Sequence, residues 1–179
     1  LFRSALFHDL GHYPYAHSLK ELHLRTHESL TGEIILGKET SDIIKQKVMI
    51  DPEIVAEIID DNMTPMDHHI LFFRNLLSGV LDPDKLDYLN RDAYFCGIPY
   101  GRQDVEYILN NIHPHPEKGL TMTEQGLSSV ESLLFAKYIM YKTVYWHKTV
   151  RIATAMVKKA LFLGLSGDII KPSELYDLN

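Results

Sequence analysis

One cysteine, Cys96, stands among 179 residues, so no disulfide can close within the chain and packing alone must hold the fold. A chain of this length buries a substantial core without such staples. Its uncrosslinked turns fit a reducing compartment, so the expected location is the cytoplasm. Long apolar runs are missing as well. None approaches the roughly 20 residues a helix needs to cross a bilayer, and no basic-then-apolar leader stands at the start. The chain reads as soluble, with no membrane partner. Positive charge is the scarcer sign: 18 Lys and Arg face 24 Asp and Glu, for a formal net charge of −6. Nucleic acid attracts the opposite balance, so no stable nucleic-acid partner is expected, although a local basic cluster can still hold a small anion. Repeats and low-complexity linkers are absent, which predicts a single domain over 1–179.

The one excess is histidine, ten in all, with His8, His12, His17, His23 and His27 crowded into the first 27 residues. Apolar residues recur mainly at helical spacing, which predicts an all-α fold. LFRSALFHD reads as a helix ending near Gly11, where glycine can take the left-handed C-cap conformation, and Pro14 prevents continuation. His12 and His17 then sit on or beside a loop. Thr26 caps HESLTGEIILG, and Asp51-Pro52-Glu53 opens EIVAEIIDDN. Residues 66–78 form an amphipathic helix that Gly79 ends. LDPDKLDYLNRDAYFCG repeats the start signal, with Asp82 as N-cap, Pro83 at N1 and Gly97 as stop. GRQDVEYILNNI is a further short helix, HPHPEKGLTMT a loop or a small β-hairpin near 112–123, and 123–163 one long helix or two. The chain opens inside an apolar segment and closes on SELYDLN just after a helix start, so both ends read as cut from a longer protein.

HDLGHYPYAH, residues 8–17, concentrates the chemistry. Adjacent His8 and Asp9 point about 100° apart on a helix, so they share one ion only from a helix end, which Gly11 makes. Imidazole nitrogen with carboxylate oxygen suits Fe, Mn, Ni, Zn or Mg. Two readings stand open on these residues alone: a metal pair, or a core histidine beside a surface acid. An acid near a helix C-terminus opposes the dipole and favours a compensating cation. A variant of the zinc-protease HExxH motif fits poorly, because that motif needs a continuous helix and a glutamate where Asp9 stands.

HDLGHYPYAH, then THE at 26–28, then LDPDKLDYLNRDAYFCGIPYG, with a weaker match in VYWHK at 144–148, resembles the HD-domain metal-dependent phosphohydrolases. Within them it resembles the deoxynucleoside triphosphate triphosphohydrolase branch. The resemblance implies an all-α HD-domain helical bundle in which His8, Asp9 and Asp84 are metal ligands, together with an upstream histidine that this chain lacks. It implies that His12, His17 and His27 line the cleft around the scissile phosphate, with His17 as general acid and His27 assisting water or phosphate. Lys20 stands where the family places an aspartate supporting His17, with Glu21 next to it. Along DPDKLDYLNRD, Asp84, Tyr88, Arg91 and Asp92 recur on one helical side with Lys85 beside them. An ion-paired polar face explains them equally well. The resemblance makes Lys85 a phosphate contact, Tyr88 a wall against the sugar and Asp92 an acceptor from its 3′-hydroxyl. It packs Tyr145 on the deoxyribose and sends His147 and Lys148 toward phosphates, although Tyr145 as core and Lys148 as a solvated surface residue remain open.

The implied reaction is hydrolysis of a deoxynucleoside triphosphate to deoxynucleoside and tripolyphosphate. It uses a divalent transition metal (Fe, Mn, Ni or Zn), with Mg accompanying the substrate phosphates. The implied partners are a nucleotide and further copies of the chain in a homo-oligomer. Two rivals remain. A binuclear HD phosphodiesterase acting on cyclic nucleotides would use His27 and the pair His68-His69 as extra ligands. A non-catalytic HD module would bind nucleotide without turnover.

Overall fold

The computed structural model describes residues 2–65, 67–115 and 119–176. Helices carry almost all of it: α1 (Phe2–Phe7), a 3-10 segment (Ala16–Leu22), α2 (His27–Leu36), α3 (Lys38–Ile43) running into a π turn (Ile44–Val48), α4 (Pro52–Ile59), α5 (His68–Ser78), α6 (Pro83–Phe95), α7 (Val105–Asn110), α8 (Leu127–Met140) running into a second π turn (Tyr141–Tyr145), α9 (Lys148–Ser166) and α10 (Pro172–Tyr176). Strands β1 (Ile112–His115) and β2 (Gly119–Met122) pair antiparallel, with Ile112 opposite Met122 and His115 opposite Gly119. The protein is therefore all-α with one small hairpin, as its periodicity predicts.

The start signals work as the sequence implies. Thr26 Oγ1 accepts from the Ser29 N–H, Asp51 Oδ1 from the Glu53 N–H and Asp82 Oδ1 from the Asp84 N–H, each satisfying a first-turn donor that the helix itself leaves orphaned. Gly97 ends α6 at φ 63, in the left-handed region. One expectation changes and two open ones are decided. Gly11 is not left-handed; glycine is needed there because a Cβ would lie 2.3 Å from the His27 carbonyl oxygen and 2.4 Å from Thr31 N. His17 lies beside the loop, at the start of the 3-10 segment Ala16–Leu22. Of one long helix or two, the stretch from 123 to 163 takes two, breaking at Trp146–His147 after a π turn whose bonding widens the last turn of α8. Leu1, Met66, residues 116–118 and the last three residues, which belong to the same sequence readings, fall outside the described residues.

The chain forms two compact units, one of residues up to Arg74 together with those from Ile152 onward, the other of Asn75–Arg151. In the first, α2 contributes to two cores. Ile35 packs with Ile44, Val55, Ala56 and Ile59, while Leu30 packs with Tyr13, Ala16 and Leu19, against which Val157 and Leu161 lean. In the second, α6 buries Leu86, Leu89 and Ala93, an i, i+3, i+7 stripe, against Ile108, Leu133 and Met140.

Candidate functional site

The first unit builds its site from a turn and a helix start. After Phe7 the chain turns, with Leu10 N–H bonded to the Phe7 carbonyl and His12 N–H to the Asp9 carbonyl. His8 Nδ1–H donates to the Ala5 carbonyl at 2.6 Å, which leaves Nε2 without a proton in the neutral ring. That nitrogen lies 3.0 Å from Asp9 Oδ1, and His12 Nδ1 lies 3.2 Å from the same oxygen. A His8 lone pair and the Asp9 carboxylate at such a distance need a cation between them, a proton or a metal. His12 Nδ1 is moreover buried and, being out of line with Asp9, has no hydrogen-bond partner. The donor set thus fits a divalent ion at His8 and Asp9, and the Ala5 carbonyl orients His8 in the way outer groups orient metal-bound imidazoles. The His8 contact is the main reason the Asp9 carboxyl is held below the usual carboxylate range, with His12 and His27 adding to it while burial works the other way.

Three histidines gather beside that turn. His12 and His27 rings lie 3.9 Å apart between centroids, His12 and His17 4.7 Å, and His17 and His27 4.9 Å. His12 Nε2 and His17 Nε2 share a hydrogen bond of 2.9 Å. One ligand atom from each comes within 4.8 Å of the others, so this trio also has the spacing of a metal-binding group. His27 is buried, His12 half-buried and His17 exposed. Burial pushes His27 down to about 4, with His12 and His17 adding to it against the pull of Glu28, whose Oε2 lies 3.2 Å from His27 Nδ1. Burial likewise lowers His17, helped by His12 and Lys20. Lys20 therefore acts on His17 opposite to a supporting carboxylate, and neighbouring Glu21 is engaged by Lys158 Nζ at 2.9 Å.

His68 and His69, the extra ligands of the binuclear rival, form a separate group with Asp67 in which all three are exposed. Asp67 Oδ1 caps α5 by accepting from His69 N–H at 2.9 Å.

The second unit gathers its own candidates along α6. Tyr145 O–H donates to Asp92 Oδ2 at 2.6 Å, and its ring meets Tyr88 at 6.2 Å and Tyr141 at 5.0 Å. Burial first, then the Asp92 hydrogen bond, raises the Tyr145 hydroxyl well above its ordinary range, and burial pushes Tyr88 up to about 12. Both phenols are therefore neutral donors at physiological pH. Lys85 Nζ donates to the Gly79 carbonyl at 2.7 Å and to Asp82 Oδ2 at 3.2 Å, so one of its three protons remains for a ligand. Arg91 pairs with Asp87 at 3.0 Å, the i, i+4 ion pair of a polar helix face. Asp84 is exposed in the first turn of α6, while His147 and Lys148 are exposed at the start of α9. Tyr141 joins this aromatic cluster unannounced by any motif; its i, i+4 spacing to Tyr145 was the available signal.

A family model described as the HD associated region matches residues 103–179. The uncharacterized protein YwfO of Bacillus subtilis is 36% identical over 88% of this chain and 35% of its own length. Protein L394 of Acanthamoeba polyphaga mimivirus, named for an HD domain, is 26% identical over 87% of this chain and 35% of itself. A Dictyostelium discoideum protein named as a deoxynucleoside triphosphate triphosphohydrolase, a SAMHD1 homolog, is 24% identical over 98% of this chain and 36% of itself. The chain thus spans about a third of the length of these relatives.

Proposed function

With the HD associated region match and two HD-related relatives supporting the HD superfamily, we propose that this chain carries the catalytic residues of a metal-dependent phosphohydrolase acting on deoxynucleoside triphosphates. The observation that carries the reading is the Asp9 carboxylate lying 3.0 Å from His8 Nε2, beside the His12, His17 and His27 cluster. His8 and Asp9 would hold the ion, and Asp84 is the further donor that the motif resemblance assigns. A bound divalent ion lowers the pKa of water and neutralises phosphoryl charge. Water adds to the α-phosphorus and releases a proton, the bond to the 5′-oxygen breaks, and His17 passes a proton to that oxygen and regains one from the proton the water released, giving deoxynucleoside and tripolyphosphate. His17 is the exposed member of the trio and so the one that reaches a ligand. His12 and His27 hold phosphate oxygens. The neutral Tyr145 and the Asp92 it bonds meet the sugar.

The test is product identification by anion-exchange chromatography, using the full-length protein loaded with Mn or Fe and each deoxynucleoside triphosphate in turn. Tripolyphosphate release that His17→Ala abolishes supports the reading. Absence of release from every substrate, with nucleotide activators present, overturns it. Two tightly held ions per chain with cleavage of a cyclic nucleotide would establish the binuclear phosphodiesterase instead, and nucleotide binding without turnover the non-catalytic module.

A further inference from the structure

Thr31 is completely buried on α2, one turn after His27. Its hydroxyl accepts from the Gly11 N–H at 2.8 Å and donates to the His8 carbonyl at 3.0 Å. One side chain thus holds both ends of the turn that carries His8 and Asp9 and leads into His12. Gly11 makes the approach possible, since a Cβ there would lie 2.3 Å from the His27 carbonyl oxygen and 2.8 Å from Leu30 Cβ. The Gly11 N–H that Thr31 satisfies is buried against α2 and the His8 carbonyl partly so, and an unmet buried donor is costly. The turn needs such a clamp because its own bonds are short-range, Leu10 N–H to the Phe7 carbonyl and His12 N–H to the Asp9 carbonyl, and neither ties it to α2.

We propose that Thr31 is a positioning residue: its hydroxyl locks the His8–Gly11 turn onto α2, so that His12 is set against His27 and the His8–Asp9 donors keep a fixed direction. The functional consequence rests on the phosphohydrolase reading, whereas the geometric claim stands without it. Valine has threonine's shape without the hydroxyl. It keeps the packing and loses both hydrogen bonds, whereas serine keeps the hydroxyl and loses only a methyl group.

The test compares wild type, Thr31→Val, Thr31→Ala and Thr31→Ser by NMR in the metal-free protein, reading the nuclear Overhauser contact between the His12 and His27 imidazole protons. The rings are 3.9 Å apart, so wild type shows the contact. We expect it to vanish in whichever of Thr31→Val and Thr31→Ala folds, and to persist in Thr31→Ser. Ile35→Val, a core change on the same helix, should lower the melting temperature and leave the contact intact. Persistence of the contact without the hydroxyl overturns the proposal. Mn titration is the second readout, with affinity falling roughly 10–100-fold in Thr31→Val and recovering in Thr31→Ser, the range expected for loss of an outer-shell group. A wild-type protein that binds no Mn counts against the phosphohydrolase reading alone, because the ring contact decides the clamp independently.

Discussion

His8 gives its Nδ1 proton to Ala5 and aims Nε2 at Asp9, an arrangement that is stable only with a cation shared between nitrogen and carboxylate. Asp9→Asn removes the charge and keeps the shape. It should weaken divalent-metal binding at least about 100-fold, more than loss of an outer-shell partner does, as read by metal content after dialysis. His27 makes a pH prediction. Its folded pKa is about 4 against an ordinary 6.5. Between those values the unfolded chain takes up a proton that the folded chain refuses, so this group lowers stability as pH falls through the window and contributes no pH dependence above it. The slope is at most about 1.4 kcal/mol per pH unit. Urea unfolding of the metal-free protein at pH 7 and pH 5 should show the loss, and His27→Gln should flatten it. In the second unit, Tyr145→Phe breaks a bond to a carboxylate and should cost about 1–2 kcal/mol in the same assay.

Among the elements, α4 shows how a helix end is held from outside. The Arg74 guanidinium donates to the carbonyls of Glu57, Asp60 and Met63, closing the C-terminal end of α4 and the turn after it. Arg74→Met removes the side-chain donor from the Glu57 and Met63 carbonyls, while the Asp60 carbonyl keeps the Met63 N–H, and should destabilise the protein by roughly 2–4 kcal/mol. Asp51→Ala, which removes only the N-cap of the same helix, should cost about 1 kcal/mol. Chemical denaturation that ranked the two equally would contradict this account of α4. The cap was readable from Asp51-Pro52-Glu53 because capping is local. The Arg74 clamp was not, because its partners lie 11 to 17 residues away.

For the whole molecule, the histidine excess governs charge. The formal net charge of −6 counts ten histidines as neutral, so protonating six of them brings the chain to zero. Ordinary histidines do this between about pH 5 and 6.5, while His27 and His17 hold back. Light scattering of the purified chain should therefore show a solubility minimum in that interval, with dispersion restored at pH 7.5. Among the described residues no helix is long and apolar enough to cross a membrane.

The sequence by itself determined α2, α4, α5 and α6 and the N-caps at Thr26, Asp51 and Asp82, because these depend on periodicity and on residues within one turn of each other; it left the hairpin open against a loop and did not show Ala16–Leu22 or 38–48 as helical. It also singled out His8, Asp9, His12, His17 and His27, since an ordered motif is local information. Only the tertiary structure decided what those residues do to one another: that His12 stacks against His27, that burial keeps His27 neutral, and that Tyr145 bonds Asp92 across 53 positions. It likewise reassigned Gly11 from a left-handed cap to a point of close approach, because the reason for that glycine is the His27 carbonyl oxygen on another helix. Contacts between distant segments depend on how α2 packs, and no spacing along the chain encodes that.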